Sequence, residues 1–217
     1  MGNGGAERQL ALLARGLARR GHGVRVLTLF PEGVHWRRLE EDGEVAMESL
    51  FSQRARRLPA QLGQRLAALG RLRRALRRHR PDVLYSFLYV ANALAARALR
   101  GRRAGELGSI PLVWGLRASN PRLGVKEWPA LYQSRRFSSR VSLIIANSRA
   151  GVAYHRARGF RPPRFAVVAN GLDAEAFQPR PDAAAALREL WGVEAEAPLM
   201  AVVARLHPMK DHENFLR

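Results

Sequence analysis

The sequence predicts an α/β protein built on a doubly wound parallel sheet. Three observations carry that prediction. Short apolar runs alternate with helical segments from the start to about residue 170, the order that βαβ units produce. The run Val24, Val26, Leu27 and Leu29 is mostly apolar, as in a strand covered on both faces. A glycine-rich loop, GNGG, leads directly into an amphipathic helix and then into that strand.

Leu10, Leu13, Ala14, Leu17 and Ala18 recur at helical spacing, so residues 6 to 20 form a helix with Arg8, Arg15 and Arg19 on the other face. Gly21 and Gly23 end it. Residues 31 to 43 read as a polar loop, and EVAMESL alternates as a strand. Leu62, Leu66, Leu69, Leu72 and Leu76 mark a helix from Pro59 to Arg80, which Pro81 stops. Then follow the strand DVLYSF, the helix YVANALAARALR, the strand PLVWGL, a turn-rich segment over 116 to 126 and a short helix in EWPALYQSRRFSSR. SLIIAN is the next strand, Ser148 caps the helix SRAGVAYHRARG, and FAVVAN closes the series. From Asn170 to Pro198 the chain holds a turn, three prolines and a short helix, the texture of an interdomain connection. A new strand, LMAVVARL, and a basic loop, HPMKDHENFLR, come last and look like the opening of a second domain. The expected organisation is therefore a first domain over 1–169, a linker over 170–197 and the start of a truncated second domain over 198–217.

With 217 residues and 47% hydrophobic composition the chain can bury a core. Its net charge is +19, and only Lys126 and Lys210 are lysines, so the basic residues are almost all arginine. This balance favours an anionic partner: a membrane surface, a nucleic acid or a phosphorylated substrate. The chain has no cysteine, which excludes disulfides, thiolate chemistry and cysteine-based zinc sites and fits a cytoplasmic protein. Its longest charge-free apolar run, Val83 to Ala96, is too short to span a bilayer. A cytoplasmic protein, peripheral at the inner face of the membrane, is the expected location.

Between Arg54 and Arg103 stand 14 arginines and a single acid, Asp82. On the helix over 59 to 80 the leucines form a stripe for the sheet to bury, while the arginines face solvent or anionic lipid. Neither zinc-finger spacing, an RNP-type aromatic pattern nor a helix-turn-helix accompanies the charge, which argues against nucleic acid.

The loop holding Gly4 and Gly5 offers backbone N–H groups at a helix N-terminus, which suits a phosphate or sugar diphosphate. On the glycines alone, that reading and an ordinary flexible start stand level. The six histidines are scattered and form no metal spacing, and His155 reads as a surface or packed residue. Arg205 and Lys210 stand five positions apart after a predicted buried strand. Two cations there suit a diphosphate leaving group, whose growing charge they would neutralise; solvated loop charge is the competing reading.

Five segments in this order, GGAERQLALLARGLARRGHGVRVLTL, WGLRASN, LIIANSRAG, VVANGLDAEAFQP and VARLHPMKDHENFLR, resemble glycosyltransferase family 4, the retaining GT-B enzymes that transfer a sugar from a nucleotide donor. The resemblance spans nearly the whole chain. It implies two Rossmann-like domains across a cleft, with the acceptor bound mainly by the first and the nucleotide sugar mainly by the second. Gly4 and Gly5 match the glycine loop near the donor phosphates, Asn170 and Gly171 the NG turn toward the hinge, and Arg205 and Lys210 the basic pair on the donor diphosphate. The nucleotide sugar is then a co-substrate, and neither a cofactor nor a metal is implied.

The departures from the family pattern are informative too. Where many relatives carry a histidine after the PLVWGL-type strand, this chain has Arg117, which cannot transfer a proton near neutral pH and would act by hydrogen bonding and charge, with Ser119 or Asn120 assisting. The family also expects a strand before the glycine loop, central in the sheet, where only Met1 stands, and a glutamate pair beyond residue 217. A fragment that is partly folded or aggregation-prone is therefore expected, and a sharp cooperative melt of the 217-residue chain would overturn that. The leading expectation is a glycosyltransferase that delivers a sugar to a lipid-linked or cell-surface saccharide with retention of configuration. Two alternatives are a noncatalytic basic module binding anionic lipid or nucleic acid through residues 54 to 103, and a GT-B nucleotide-sugar epimerase.

Overall fold

In a computed structural model, which describes residues 4–100, 105–117, 128–204, 206 and 208–217, the chain divides into two compact units, one ending at Gly171 and the other spanning Leu172–Arg217. The first alternates helices and strands in order: α1 (Gly5–Ala18), β1 (Arg25–Thr28), α2 (Val34–Asp42), β2 (Ala46–Ser49), α3 (Leu58–His79), β3 (Leu84–Phe87), α4 (Tyr89–Ala98), β4 (Leu112–Leu116), α5 (Trp128–Phe137), β5 (Leu143–Ala146), α6 (Arg149–Ala157) and β6 (Phe165–Val167). Every strand pairing is parallel. The α/β class and the helix-crossover pattern are those the sequence predicts.

The strands form two sheets, β1-β2 and β3-β4-β5-β6, and among the described residues no ladder joins them. In a doubly wound order the strand leading into the first glycine loop lies between these two groups. Among the described residues β1 and β3 each pair on one side only.

The buried side chains form two clusters, the larger of which also takes Leu27 of β1 and Leu50 and Phe51 after β2. Ala11 and Ala14 of α1, Val26, Leu39 and Val45 pack around the smaller sheet. Trp114, Leu116, Ile144 and Ala146, buried on the middle strands, form the larger core with Leu72 and Leu76 of α3 and Ala95, Ala96 and Ala98 of α4. A fully buried aliphatic side chain such as Leu116 or Ile144 contributes about 2 kcal/mol through area removed from water. The small alanine face of α4 lets that helix lie close to the sheet. Ser148 Oγ accepts a 3.0 Å hydrogen bond from the Gly151 N–H and caps α6 as predicted. Ser148→Ala is expected to cost about 1 kcal/mol in chemical denaturation, with Ser148→Asp restoring most of it.

Three expectations require correction. Residues 31–43 are not a loop throughout, because α2 forms there between Gly33 and Gly43, burying Trp36 and Leu39 at i and i+3. The leucine stripe of α3 is only half buried: Leu72 and Leu76 are in the core, whereas Leu62 is 58% and Leu66 75% exposed. At 22 residues the helix is about 33 Å long, against roughly 15 Å for a strand of four or five residues. Its first half therefore extends beyond the sheet. The predicted strand LMAVVARL is not formed over its described residues, and Val203 and Leu206 are almost fully exposed. A strand is stable only with a neighbour to pair with, and the second unit has no strand among its described residues. That unit holds α7 (Pro181–Trp191), a 3₁₀ turn at Pro208–Lys210 and α8 (His212–Leu216). Gly192, at φ 63°, closes α7 in the left-handed conformation.

Candidate functional site

In a parallel sheet all strands end at one edge, and loops at that carboxyl edge are where ligands bind. Arg117 follows β4, Asn147 follows β5 and Asn170 lies three residues beyond β6, so the topology brings them to the same edge. The start of α1 joins them through one side chain. Gln9 Nε2 donates to Gly171 O at 2.8 Å, and its Oε1 accepts from Gly171 N–H at 2.7 Å. This two-bond clamp ties the Asn170–Gly171 turn to the first turns of the helix that begins at Gly5, and Gly4 stands as its N-cap.

Arg117 is the hub of the cluster. Its Nη1 donates to Asn170 Oδ1 at 3.3 Å and its Nη2 to Tyr85 Oη at 3.5 Å, while the guanidinium lies 4.8 Å from the centre of the Phe87 ring. Both bonds are long, and Arg117 Nε is buried without a partner among the described residues. Asn147 Oδ1, on the neighbouring strand end, is likewise buried and unpartnered. A donor and an acceptor at the same edge are thus left for a ligand or for water, since buried polar groups are otherwise paired.

The platform under Arg117 depends on a glycine. A Cβ at Gly115 would stand 3.3 Å from Phe87 Cδ1 and from Tyr85 Cε2, so the bare strand position lets the two rings close over β4. Their centroids lie 4.7 Å apart. Burial pushes the Tyr85 phenol upward and the charge and hydrogen bond of Arg117 pull it back, with burial prevailing. Tyr85 therefore stays neutral and keeps its O–H as a donor. Just beyond β3, Leu88 holds φ 71°, a conformation costing about 1–3 kcal/mol for a residue with a side chain. The fully buried Asn92 holds that turn: with its amide nitrogen facing the strand end, it donates to Ser86 O at 2.9 Å and Leu88 O at 3.3 Å.

At the helix start, the Glu7 carboxylate lies against Gly4, its Oε2 within 2.5 Å of where a Cβ would be. It answers the positive end of the helix dipole. Lys210 is exposed on the 3₁₀ turn of the second unit. Ser119, Asn120 and Arg205 lie outside the described residues. The structure thus brings Gly4, Gly5, Arg117, Asn170 and Gly171 together and adds Gln9, Tyr85, Phe87 and Asn147, which the sequence reading did not single out. Of these, Gln9 and Asn147 lay inside quoted motifs, GGAERQLALLARGLARRGHGVRVLTL and LIIANSRAG.

A parallel α/β unit with a glycine loop, an Asn-Gly turn and an arginine gathered at its carboxyl edge has the architecture of a Rossmann-like domain. The sequence profile described as Glycosyltransferase Family 4 matches residues 3–176, and the chain belongs to that family. Among solved structures it is similar to HepE (Alr3699) of Anabaena. With the HepE complex with UDP-glucose it shares 24% identity at a TM-score of 0.64, covering 87% of this chain and 46% of HepE. The complex with UDP gives 24% and 0.64, and that with UDP and glucose 22% and 0.62, each covering 87% of this chain and 47% of HepE. These likenesses show a shared fold, and the chain spans about half the length of HepE. No curated protein sequence matches it.

Proposed function

We propose that this chain is the acceptor-side part of a retaining glycosyltransferase that moves a sugar from a nucleotide donor to a lipid-linked or cell-surface saccharide. In this reading residues 1–169 form the acceptor-side domain, 170–197 the linker and 198–217 the start of the donor domain. The observation that carries it is the Arg117 cluster at the carboxyl edge of a family 4 chain, tied by Gln9 to the glycine-loop helix.

An acceptor hydroxyl attacks the anomeric carbon on the face from which the diphosphate leaves. The new C–O bond forms as the bond to the phosphate oxygen breaks, and the hydroxyl proton departs with the diphosphate. Arg205 and Lys210 neutralise the leaving charge, aided by the Gly4 and Gly5 N–H groups. Arg117, with Ser119 and Asn120, orients the acceptor. HepE has been crystallised with UDP-glucose, so that sugar nucleotide is the first donor to test.

A peripheral position on the inner face of the membrane is supported by α3. No helix among the described residues is long and apolar enough to cross a membrane. The overhanging half of α3, however, starts after β2 and so lies at the carboxyl edge, where it exposes Leu62 and Leu66 beside Arg65. That combination suits a lipid surface from which a lipid-linked acceptor is taken.

In the enzyme carrying both domains, Lys210→Ala is expected to lower turnover about tenfold, Arg205 sharing the diphosphate charge. Near-normal turnover would remove Lys210 from the mechanism. Hydrolysis or epimerisation of a donor panel without acceptor would favour the epimerase reading instead.

A further inference from the structure

Five arginines line one cavity of ≈ 720 Å³ in the first unit: Arg73 on α3, Arg97 and Arg100 at the end of α4, Arg136 on α5, and Arg140 in the 3₁₀ turn Ser138–Arg140. None of the described residues lining it is acidic. A smaller cavity of ≈ 290 Å³ adjoins it through Arg136 and Ser139, and no acid is among its described lining residues.

Position separates this cavity from the sugar-transfer site. The chain leaves each strand at the carboxyl edge and returns along a helix, so helix C-termini stand at the amino edge. Arg97 and Arg100 end α4, Arg136 ends α5, and Arg140 precedes β5 by three residues. The cavity therefore lies at the opposite edge from Arg117, roughly 15 Å of strand away.

Two of the arginines build the wall. The Arg73 guanidinium donates to the carbonyls of Ala98 at 3.0 Å, Arg97 at 2.8 Å and Arg100 at 2.7 Å, which satisfies the end of α4. Arg100 lies 5.1 Å over the Phe137 ring. Arg97, Arg136 and Arg140 complete the lining, and none of the five forms an ion pair with a described carboxylate. The acids of this unit that do pair, Glu32, Asp42, Glu44 and Glu48, are engaged by other arginines. Guanidiniums crowded without counter-charge repel one another, and their planar donor forks match phosphate oxygens.

From this geometry we infer that the cavity is a second anion site, which takes a multiply charged phosphate group, carried on a lipid headgroup or free in solution. It rests on no property of the sugar-transfer reading.

The test compares two triple variants of the full chain with equal net charge. Arg97→Ala/Arg136→Ala/Arg140→Ala removes the cavity's outer cations and leaves the wall-building pair, while Arg20→Ala/Arg37→Ala/Arg38→Ala removes three exposed arginines elsewhere. Pyrophosphate is titrated by calorimetry, and vesicles of phosphatidylcholine with phosphatidic acid, whose phosphomonoester can take a second negative charge, are used in flotation. The cavity variant is expected to lose at least tenfold in affinity for pyrophosphate or for the vesicles, the control variant less than twofold. Loss confined to pyrophosphate identifies a free phosphate ligand, and loss of vesicle binding that pyrophosphate competes for identifies a headgroup. Equal affinities for the two variants, no binding by the parent chain, or tighter binding of a single-stranded oligonucleotide that the cavity variant retains would each overturn the assignment.

Discussion

Arg117→Ala is expected to lower kcat/KM for sugar transfer about 100-fold in the enzyme carrying both domains, with little change in stability. A preorganised charged donor facing a reacting group contributes about 2.7 kcal/mol to the barrier, two decades in rate. The protein contacts of Arg117 are weak by comparison. Its bonds to Asn170 and Tyr85 are 3.3 and 3.5 Å long, and its stacking on Phe87 is worth about 0.5–1 kcal/mol. Its Nε lacks a partner among the described residues, so that donor adds no hydrogen bond to the fold. The Asn170–Gly171 turn keeps its two bonds to Gln9 in the variant. Arg117→Lys preserves the charge but cannot reach both Asn170 and Tyr85, and an intermediate loss of about tenfold is expected. Activity of Arg117→Ala within threefold of the parent would show that the arginine merely packs on Phe87.

The parts of this fold legible in the sequence are those set by local patterning. The strands LYSF, LVWGL and LIIA, the helices between them and the Ser148 cap are written in apolar runs, periodicity and a single polar side chain. α2 was missed because nine residues rich in charge carry only Trp36 and Leu39 as buried anchors, and two positions make a weak period. LMAVVARL failed for the converse reason. Its apolarity is local, but a strand is a pairing, and the described part of its unit supplies no partner. In α3 the leucine period is right, yet it cannot reveal that the helix outruns the sheet and leaves Leu62 and Leu66 outside.

The site divides along the same line. Gly4, Gly5, Asn170 and Gly171 belong to motifs and are visible in one dimension. Gln9 is an ordinary polar residue on a helix until Gly171, 162 positions away, comes to lie against its amide. Tyr85 and Phe87 look like routine strand aromatics. Their role depends on Gly115 in the next strand, whose missing side chain lets both rings approach. Pairings of this kind are decided by strand order and register, which no local window contains.

Replacing His155 by alanine is expected to destabilise the first unit by about 3–4 kcal/mol. The ring is fully buried on α6 and sits edge-on to Phe160 at 5.0 Å and to Tyr154 at 5.1 Å. Its Nδ1 faces Gly151 O at 2.7 Å, and a carbonyl only accepts, so Nδ1 carries the proton and donates. Nε2, 2.7 Å from Tyr89 Oη, then accepts the phenol proton. Truncation opens a cavity and removes the ring's hydrogen bonds to Tyr89 Oη and Gly151 O, two costs that add. Burial holds the imidazole below its ordinary 6.5; the bond to Gly151 opposes this, and the charge of Arg158 adds to the lowering. Between the folded value and 6.5 the unfolded chain therefore binds a proton that the folded chain does not. The stability from the neutral ring is fully present above pH 6.5 and is lost as pH falls through the folded value. Thermal melts from pH 8 to 5 should show that decline. His155→Leu fills most of the space, costs about 1–3 kcal/mol for the two lost hydrogen bonds and removes the ring's share of the slope. An unchanged slope in His155→Leu would assign the acid sensitivity to other groups.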